Sequence, residues 1–252
     1  TGTYTVTYTY SNSGCASLTA TTTVTIKPIV TIVTASTPAT VCGSGNAQLN
    51  AVADGGANYT VSSIAHNLLT PSGSPTVIWN TTIDDAVSTA IALPFAFTYF
   101  GQSITQFTAS TNGFIEMGGA SGLSALTPQT IPSATTPNNV IALAWRDLEI
   151  DITANPAAYV RYFVNGTTPN RIMVVEYNGL SFYNISSGTG NVTGQIRLYE
   201  SDSHIEVHVF ANDGGLNLAK TLGIENSTGT TGVSPSGHNN VVWNTTVAEG
   251  WS

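Results

Sequence analysis

Charge is what this sequence has least of. Asp, Glu, Lys and Arg together make 8% of its 252 residues, against about 25% in an ordinary globular domain. Basic residues are the scarcest: Lys and Arg number 6 against 14 Asp and Glu, for a formal net charge of −8. So few cations exclude a basic face that neutralises a row of phosphates, and with it nucleic-acid binding. Electrostatic attachment to an anionic membrane fails for the same reason. Lys27 and Lys220 are the two lysines, which leaves little material for lysine-based catalysis. No apolar run approaches the roughly 18 residues that span a bilayer, so no membrane insertion is expected. Cysteine is nearly absent. Cys15 and Cys42 are too few for a disulfide-dense scaffold and lack zinc-ligand spacing. Paired, they close a loop of about 27 residues, worth roughly 3–4 kcal/mol in the chain-entropy model; unpaired, each is a small buried thiol. The residues leave both alternatives open.

Helical periodicity of useful length is missing too, as are a Gly-x-Ser-x-Gly elbow, a P-loop and a dinucleotide fingerprint. What fills the chain instead is 39 Thr with abundant Ser, Asn and Gly, together with 8 Phe, 10 Tyr and 4 Trp. Thr favours strands and Asn-Gly favours turns. Hydrophobic residues reach 41%, enough to bury a large core despite the low charge. The expected fold class is all-β: an antiparallel β-sandwich preceded by a hairpin segment, in a secreted or cell-surface protein.

Residues 3–10, TYTVTYTY, alternate strictly, with Tyr4, Val6, Tyr8 and Tyr10 on one face and threonines on the other. This is the pattern of a half-buried antiparallel strand. LTATTTVTI at 18–26 returns, so the two form a hairpin. Two strands alone are marginal in water. The hairpin is therefore expected to be the last of a module whose earlier strands are missing, the chain being a fragment, or to be completed by another subunit. Tyr4, Val6, Tyr8 and Tyr10 are the expected assembly face. Strands are also expected at 29–35 and within 41–53, giving a partial module over 1–54 and a sandwich over 55–252.

In the second part, Phe95, Phe97 and Tyr99 alternate after Pro94, and Asn112-Gly113 signals a type I′ hairpin. VIALAWRDLEIDI (140–152) reads as one strand, apolar and then acidic. Four further strand-like runs follow at 157–166, 171–180, 191–201 and 204–213, and 221–229 and 239–247 close the chain. VIWNTTI (77–83) is echoed by VVWNTTV (241–247), as if two strands met at the ends of the domain.

Three constellations carry chemistry. Asp147, Glu149 and Asp151 at i, i+2 and i+4 fall on one strand face, opposite Leu148, Ile150 and Ile152. Three like charges call for an offset: a calcium ion with all-oxygen ligands, pairing with Arg146, Arg161 or Arg171, or plain solvation. A glycosidase carboxylate pair is the enzymatic alternative. His204, Glu206 and His208 share another strand face and have zinc-ligand chemistry, though an outward polar face on an edge strand explains them equally well. Trp79, Trp243, Trp251, Phe182 and Tyr183 are the aromatic candidates for a carbohydrate-binding face, with the core as the competing assignment. His66 and His238 stand alone in loop-like sequence. Seven Asn-x-Ser/Thr sequons begin at Asn58, Asn80, Asn165, Asn184, Asn191, Asn226 and Asn244, several of them expected by accident in so Asn- and Thr-rich a chain.

TYTVTYTYSNSGCASLTATTTVTI followed by ATVCGSGNAQLNA resembles the tandem Ig-like and PKD-like repeats of large secreted surface proteins of Bacteroidota-type bacteria. In such arrays Cys15 and Cys42 belong to successive modules, which argues against their pairing. From residue 59 to about 247 the run LPFAFTYFG, STNGFIEMGG, IALAWRDLEID, YVRYF, RIMVVEYNGL, GQIRLYES, HIEVHVF and LGIEN resembles, in order, the nidogen-like extracellular domain. That family has no catalytic residues to carry over. The resemblance implies a non-enzymatic structural or adhesive module whose partners are other copies, neighbouring modules, glycans or host and substratum surfaces. A carbohydrate-binding module is the alternative. No cofactor is expected beyond the calcium considered above.

Overall fold

The computed structural model describes residues 2–10, 18–26, 31–37, 48–54, 59–119, 121–183, 191–213, 218–245 and 247–252. Cys15 and Cys42, and with them the disulfide question, lie outside the described residues. The chain divides into one compact unit of Thr1–Asn58 with Phe100–Gln102 and a second of Tyr59–Tyr99 with Ser103–Ser252.

The first unit holds β1 (Gly2–Tyr10), β2 (Leu18–Ile26), β3 (Thr31–Thr37) and β4 (Gln48–Asp54). β1 and β2 pair antiparallel from Gly2↔Ile26 to Tyr10↔Leu18, and β3 pairs β4 from Thr31↔Asp54 to Thr37↔Gln48. Each pair is a two-stranded sheet of its own. The strict Tyr/Thr alternation makes β1 a strand, but not a half-buried one. Residues 5–9 are all exposed, with Val6 at 51% and Tyr8 at 58%, so both faces meet solvent. The side chains of Tyr4 and Tyr10 lie outside the described residues.

The second unit opens with β5 (Ser63–Ile64), β6 (Thr76–Trp79), β7 (Ile83–Asp84), β8 (Ile91–Tyr99), β9 (Gln102–Ser110), β10 (Phe114–Met117), β11 (Val140–Trp145) and β12 (Leu148–Ile150). It continues with β13 (Tyr159–Asn165), β14 (Ile172–Phe182), β15 (Asn191–Tyr199), β16 (Ile205–Asp213), β17 (Ala219–Glu225), β18 (Gly232–Val233), β19 (Asn239–Val242) and β20 (Glu249–Trp251). No helix occurs among the described residues, and so none long and apolar enough to cross a membrane. A seven-stranded sheet runs β18-β17-β11-β10-β9-β8, with β19 also on β17. A nine-stranded sheet runs β5-β20-β16-β15-β14-β12-β7, with β13 joining β14 to β6. The pairings are antiparallel, so the expected all-β sandwich is what forms.

The core lies between the two sheets. Phe97, Tyr99, Phe107, Phe114 and Trp145 from one sheet and Val175, Tyr177, Ile196 and Leu198 from the other are all but inaccessible. Each such side chain contributes about 1.5–3 kcal/mol by leaving water. The Tyr177 hydroxyl, carried into the core by its ring, donates across the layers to Phe114 O at 2.7 Å. At Gly194 of β15 the layers come so close that a Cβ would sit 2.8 Å from Leu143 of β11 and 2.4 Å from His208 O, so no larger residue fits there.

Three expectations change. The alternation through 140–152 does not belong to one strand: β11 lies in the seven-stranded sheet and β12 in the nine-stranded one, and the chain turns the corner at Arg146-Asp147. Asn112-Gly113 is not a two-residue primed turn. Of Thr111, Asn112 and Gly113 between Ser110 and Phe114, only Gly113 has positive φ, at 77°. The two consecutive left-handed residues that a primed turn needs are Phe100 and Gly101, at 45° and 77°, between β8 and β9. The echoed segments do not meet either: β6 pairs β13, whereas β19 pairs β17 in the other sheet.

Candidate functional site

The corner at Arg146-Asp147 closes on the Asn112 turn, and this joins two motifs far apart in sequence. Asn112 is fully buried. Its Oδ1 accepts from Leu148 N at 2.6 Å, and its Nδ2 donates to Asp85 Oδ1 at 2.9 Å and to Ser124 O at 3.0 Å. Its carbonyl accepts from Arg146 N, and Gly113 O accepts from Leu143 N. The Phe114 and Trp145 rings pack at 5.0 Å, and the indole N–H of Trp145 donates to Ala125 O at 2.6 Å. A polar side chain thus replaces the backbone pairing that the chain loses as it passes between sheets.

Three carboxylates gather at this corner. Asp84, Asp85 and Asp147 each offer an oxygen, all within 4.8 Å of one another. Asp85 is held with φ at 49°. Burial, and then the charge of Asp85, raise the Asp84 carboxyl above its ordinary range. Burial, followed by the charges of Asp84 and Asp85, does the same for Asp147. The Oδ1 of Asp147 is buried without a hydrogen-bond partner. Oxygen-only donors at this spacing have the chemistry of a hard cation such as calcium. The sequence set of Asp147, Glu149 and Asp151 is not brought together as one face. Glu149 sits in β12 opposite Asp84 and Ser181. Asp151 leaves the strand and accepts from Thr153 N at 2.8 Å and Ala154 N at 3.3 Å, capping a turn. Asp84 and Asp85 escaped the sequence reading because the signal there is a lone Asp-Asp pair some sixty residues upstream.

A second polar assembly crosses the nine-stranded sheet. Register sets Arg161, Glu176, Gln195 and His208 side by side on β13 to β16, with Arg197 opposite Glu206. Arg161 Nε meets Glu176 Oε2 at 2.5 Å, and Gln195 Nε2 donates to Glu176 Oε1 at 3.0 Å. Arg197, 1% exposed, donates to Gln195 Oε1, Glu206 Oε2 and both oxygens of Asn67. The stretch 66–72 lies across this row: Asn67 N donates to His208 Nδ1, and Leu69 exchanges two bonds with the Gln195 amide. His208 Nε2 lies 3.0 Å from Glu206 Oε2. Burial alone would raise the Glu206 carboxyl; hydrogen bonds from His208 and Tyr199 and the charges of His208 and Arg197 bring it down to about 2. Burial, then His208 and Arg197, lower His66, whose ring meets His208 at 5.6 Å. His204, Glu206 and His208 are therefore no outward face of an edge strand. β16 pairs on both sides, His208 is 1% exposed, and His204 stacks on Tyr199 at 3.8 Å while bonding Asp202.

The aromatic candidates scatter. Phe182 and Trp243 are buried, Trp79 and Trp251 are half-buried, and Tyr183 is exposed. Trp243 and Trp251 flank His238 at 4.5 and 5.2 Å. His238 bonds Ser236 O through Nδ1 and Glu249 through Nε2. Burial works against its protonation, but these two bonds raise it above its ordinary range.

The STNGF turn and the WRD corner, two of the motifs that carry the nidogen-like resemblance, lock together in this antiparallel sandwich. The match to known families agrees: the chain belongs to the NIDO-related family, which it matches over residues 58–251. That membership suggests an extracellular module. No curated protein and no solved structure matches the chain.

Proposed function

We propose that the chain is a non-enzymatic structural or adhesive part of a secreted cell-surface or filament-forming protein. Residues 1–54 are part of an Ig-like module that assembles with other copies or neighbouring modules by β-strand addition. The observation that carries this reading is β1. It holds nine register pairs with β2 and none with any other described strand, and residues 5–9 are exposed on both faces. An open strand edge offers free N–H and C=O groups to a second chain. The polar side chains of the sandwich support the non-enzymatic part, since the Arg197, Glu206 and His208 groups are spent on each other and on residues 66–69.

Deleting residues 1–28 is expected to turn an assembled species into a monomer of similar melting temperature, measured by sedimentation velocity and calorimetry. Assembly that survives the deletion, or a full chain that stays monomeric at high concentration, overturns the reading. Screens against peptide, ester and glycoside substrates are expected to be blank; hydrolysis lost on mutating Asp147 or Glu149 would make the protein an enzyme. Carbohydrate binding is the second reading, resting on exposed Tyr183 and half-buried Trp79 and Trp251. Sugar-dependent binding on a glycan array would favour it.

A further inference from the structure

Glu225, the last residue of β17, is fully buried and belongs to neither polar assembly. Its Oε2 accepts one hydrogen bond, from Ser133 N at 2.9 Å, and its Oε1 is buried with no partner. Gly232 of β18 stands opposite in register, and a Cβ there would lie 3.0 Å from the Glu225 Cβ and 2.6 Å from Ile131. The carboxyl is thus closed in between β18 and the segment 127–139. Neutral bonds hold that segment elsewhere. Thr221 Oγ1 donates to Gln129 O at 2.6 Å, the Asn239 amide exchanges two bonds with the Ile131 backbone, and Asn139 N donates to Asn226 O. Gln129 Oε1 is a second buried oxygen without a donor. On its outer side the segment lines a polar cleft of about 460 Å³ with Thr127, Gln129, Thr130, Pro132, Ser133 and Thr135.

No counter-charge faces Glu225 from the elements around it. Residues 117–145 contain no ionisable side chain, and residues 226–248 contain only His238, which is bonded to Glu249 and Ser236. From β8 comes Tyr99, whose hydroxyl donates to the Glu225 and Val140 carbonyls, with Tyr59 against its ring at 5.9 Å. A carboxylate buried with a single donor is costly, and a proton removes the cost. Burial pushes the Glu225 carboxyl up to about 7, with only the Ser133 N–H pulling the other way.

We propose that Glu225 is a proton-operated latch: protonated, it stays buried and keeps the segment 127–139 shut on the seven-stranded sheet, and ionised, it seeks water despite its bond from Ser133 N and opens the segment beside the polar cleft. In the open segment the carboxyl meets water and titrates in its ordinary range. Closure then takes up a proton. The closed population falls as pH rises between the ordinary range and about 7, by at most about tenfold per pH unit, and is flat outside that window.

Hydrogen exchange of the full chain at pH 5 and pH 8, corrected for the intrinsic pH dependence of exchange, reads the opening directly. The amides of 127–139 are expected to open at least about tenfold more often at pH 8, while those of β14 do not change. Glu225→Gln is expected to abolish the difference. A pH-independent segment in the wild type, or an equal pH response in Glu225→Gln, overturns the latch. The carboxyl carbon of Glu225, followed by NMR in the wild type, is a measurement that needs no variant: a midpoint at the ordinary 4.5 overturns it as well.

Discussion

Asn112 shows how much one side chain does at the corner between the sheets. Leucine or alanine there would leave Leu148 N buried without a partner, would leave Ser124 O with Ser110 Oγ as its remaining donor, and would free Asp85 from its donor. A buried group left unsatisfied costs about 1–3 kcal/mol. Asn112→Ala is therefore expected to lower stability by about 3 kcal/mol in chemical denaturation; a loss under 1 kcal/mol would show that the turn holds without its amide. Asp147 works in the opposite direction. Its carboxylate sits with those of Asp84 and Asp85 and is raised by burial and by both neighbours. A raised acid destabilises the fold once pH exceeds its unfolded value and ceases to do so when protonated. Asp147→Asn is accordingly expected to raise the melting temperature by about 2–4 °C in calcium-free, low-salt buffer at pH 7, and by less at pH 4. Millimolar calcium is expected to raise the wild type and leave the variant unmoved; a wild type indifferent to calcium removes the cation from this corner.

At the scale of elements, the pattern of the chain was legible wherever a strand has one wet face and one dry face. In β8, Phe95, Phe97 and Tyr99 are buried while Ala96 and Thr98 are exposed, as the alternation demands. It misled at 140–152, because the alternation runs unbroken through a corner set by tertiary packing, and so Asp147 was grouped with Glu149 and Asp151 rather than with Asp84 and Asp85. It misled again at β16. Residues 66–72 have no strand periodicity of their own, so nothing local announces that they cover Gln195, Arg197 and His208. The covering stretch is held by a charge-dependent row, and this gives it a testable pH response. Glu206 titrates at about 2 when folded and near 4.5 when unfolded, so its contribution is complete above 4.5 and is lost as pH falls towards 2. The carboxyl is partly open to solvent, which weakens the contribution to about 1–2 kcal/mol. Glu206→Gln is expected to cost that amount at pH 7 and almost nothing at pH 2, measured by urea unfolding. An equal cost at both pH values would mean that the side chain acts by packing rather than by charge.

For the whole molecule the shortage of charge becomes an argument about how copies meet. Residues 1–26 contain no Asp, Glu, Lys or Arg, so the whole formal net charge of −8 lies beyond them. Natural edge strands are commonly guarded by an inward or outward charge that spoils pairing with another chain. β1 and β2 carry none, only Thr, Tyr, Val and other neutral residues. Association through this hairpin therefore rests on backbone hydrogen bonds and on side chains such as Val6 and Tyr8, which salt does not screen. Contacts between the acidic sandwiches would instead repel at low salt and ease as the Debye length shrinks from about 10 Å at 0.1 M to about 3 Å at 1 M. The association constant of the full chain is thus expected to hold or rise modestly between 0.1 and about 1 M sodium chloride, measured by sedimentation equilibrium. The introduction of a lysine by Thr7→Lys is expected to weaken it strongly without changing the melting of the sandwich. Association that collapses in high salt, or that ignores Thr7→Lys, would place the contact on charged residues of the sandwich and not on the hairpin.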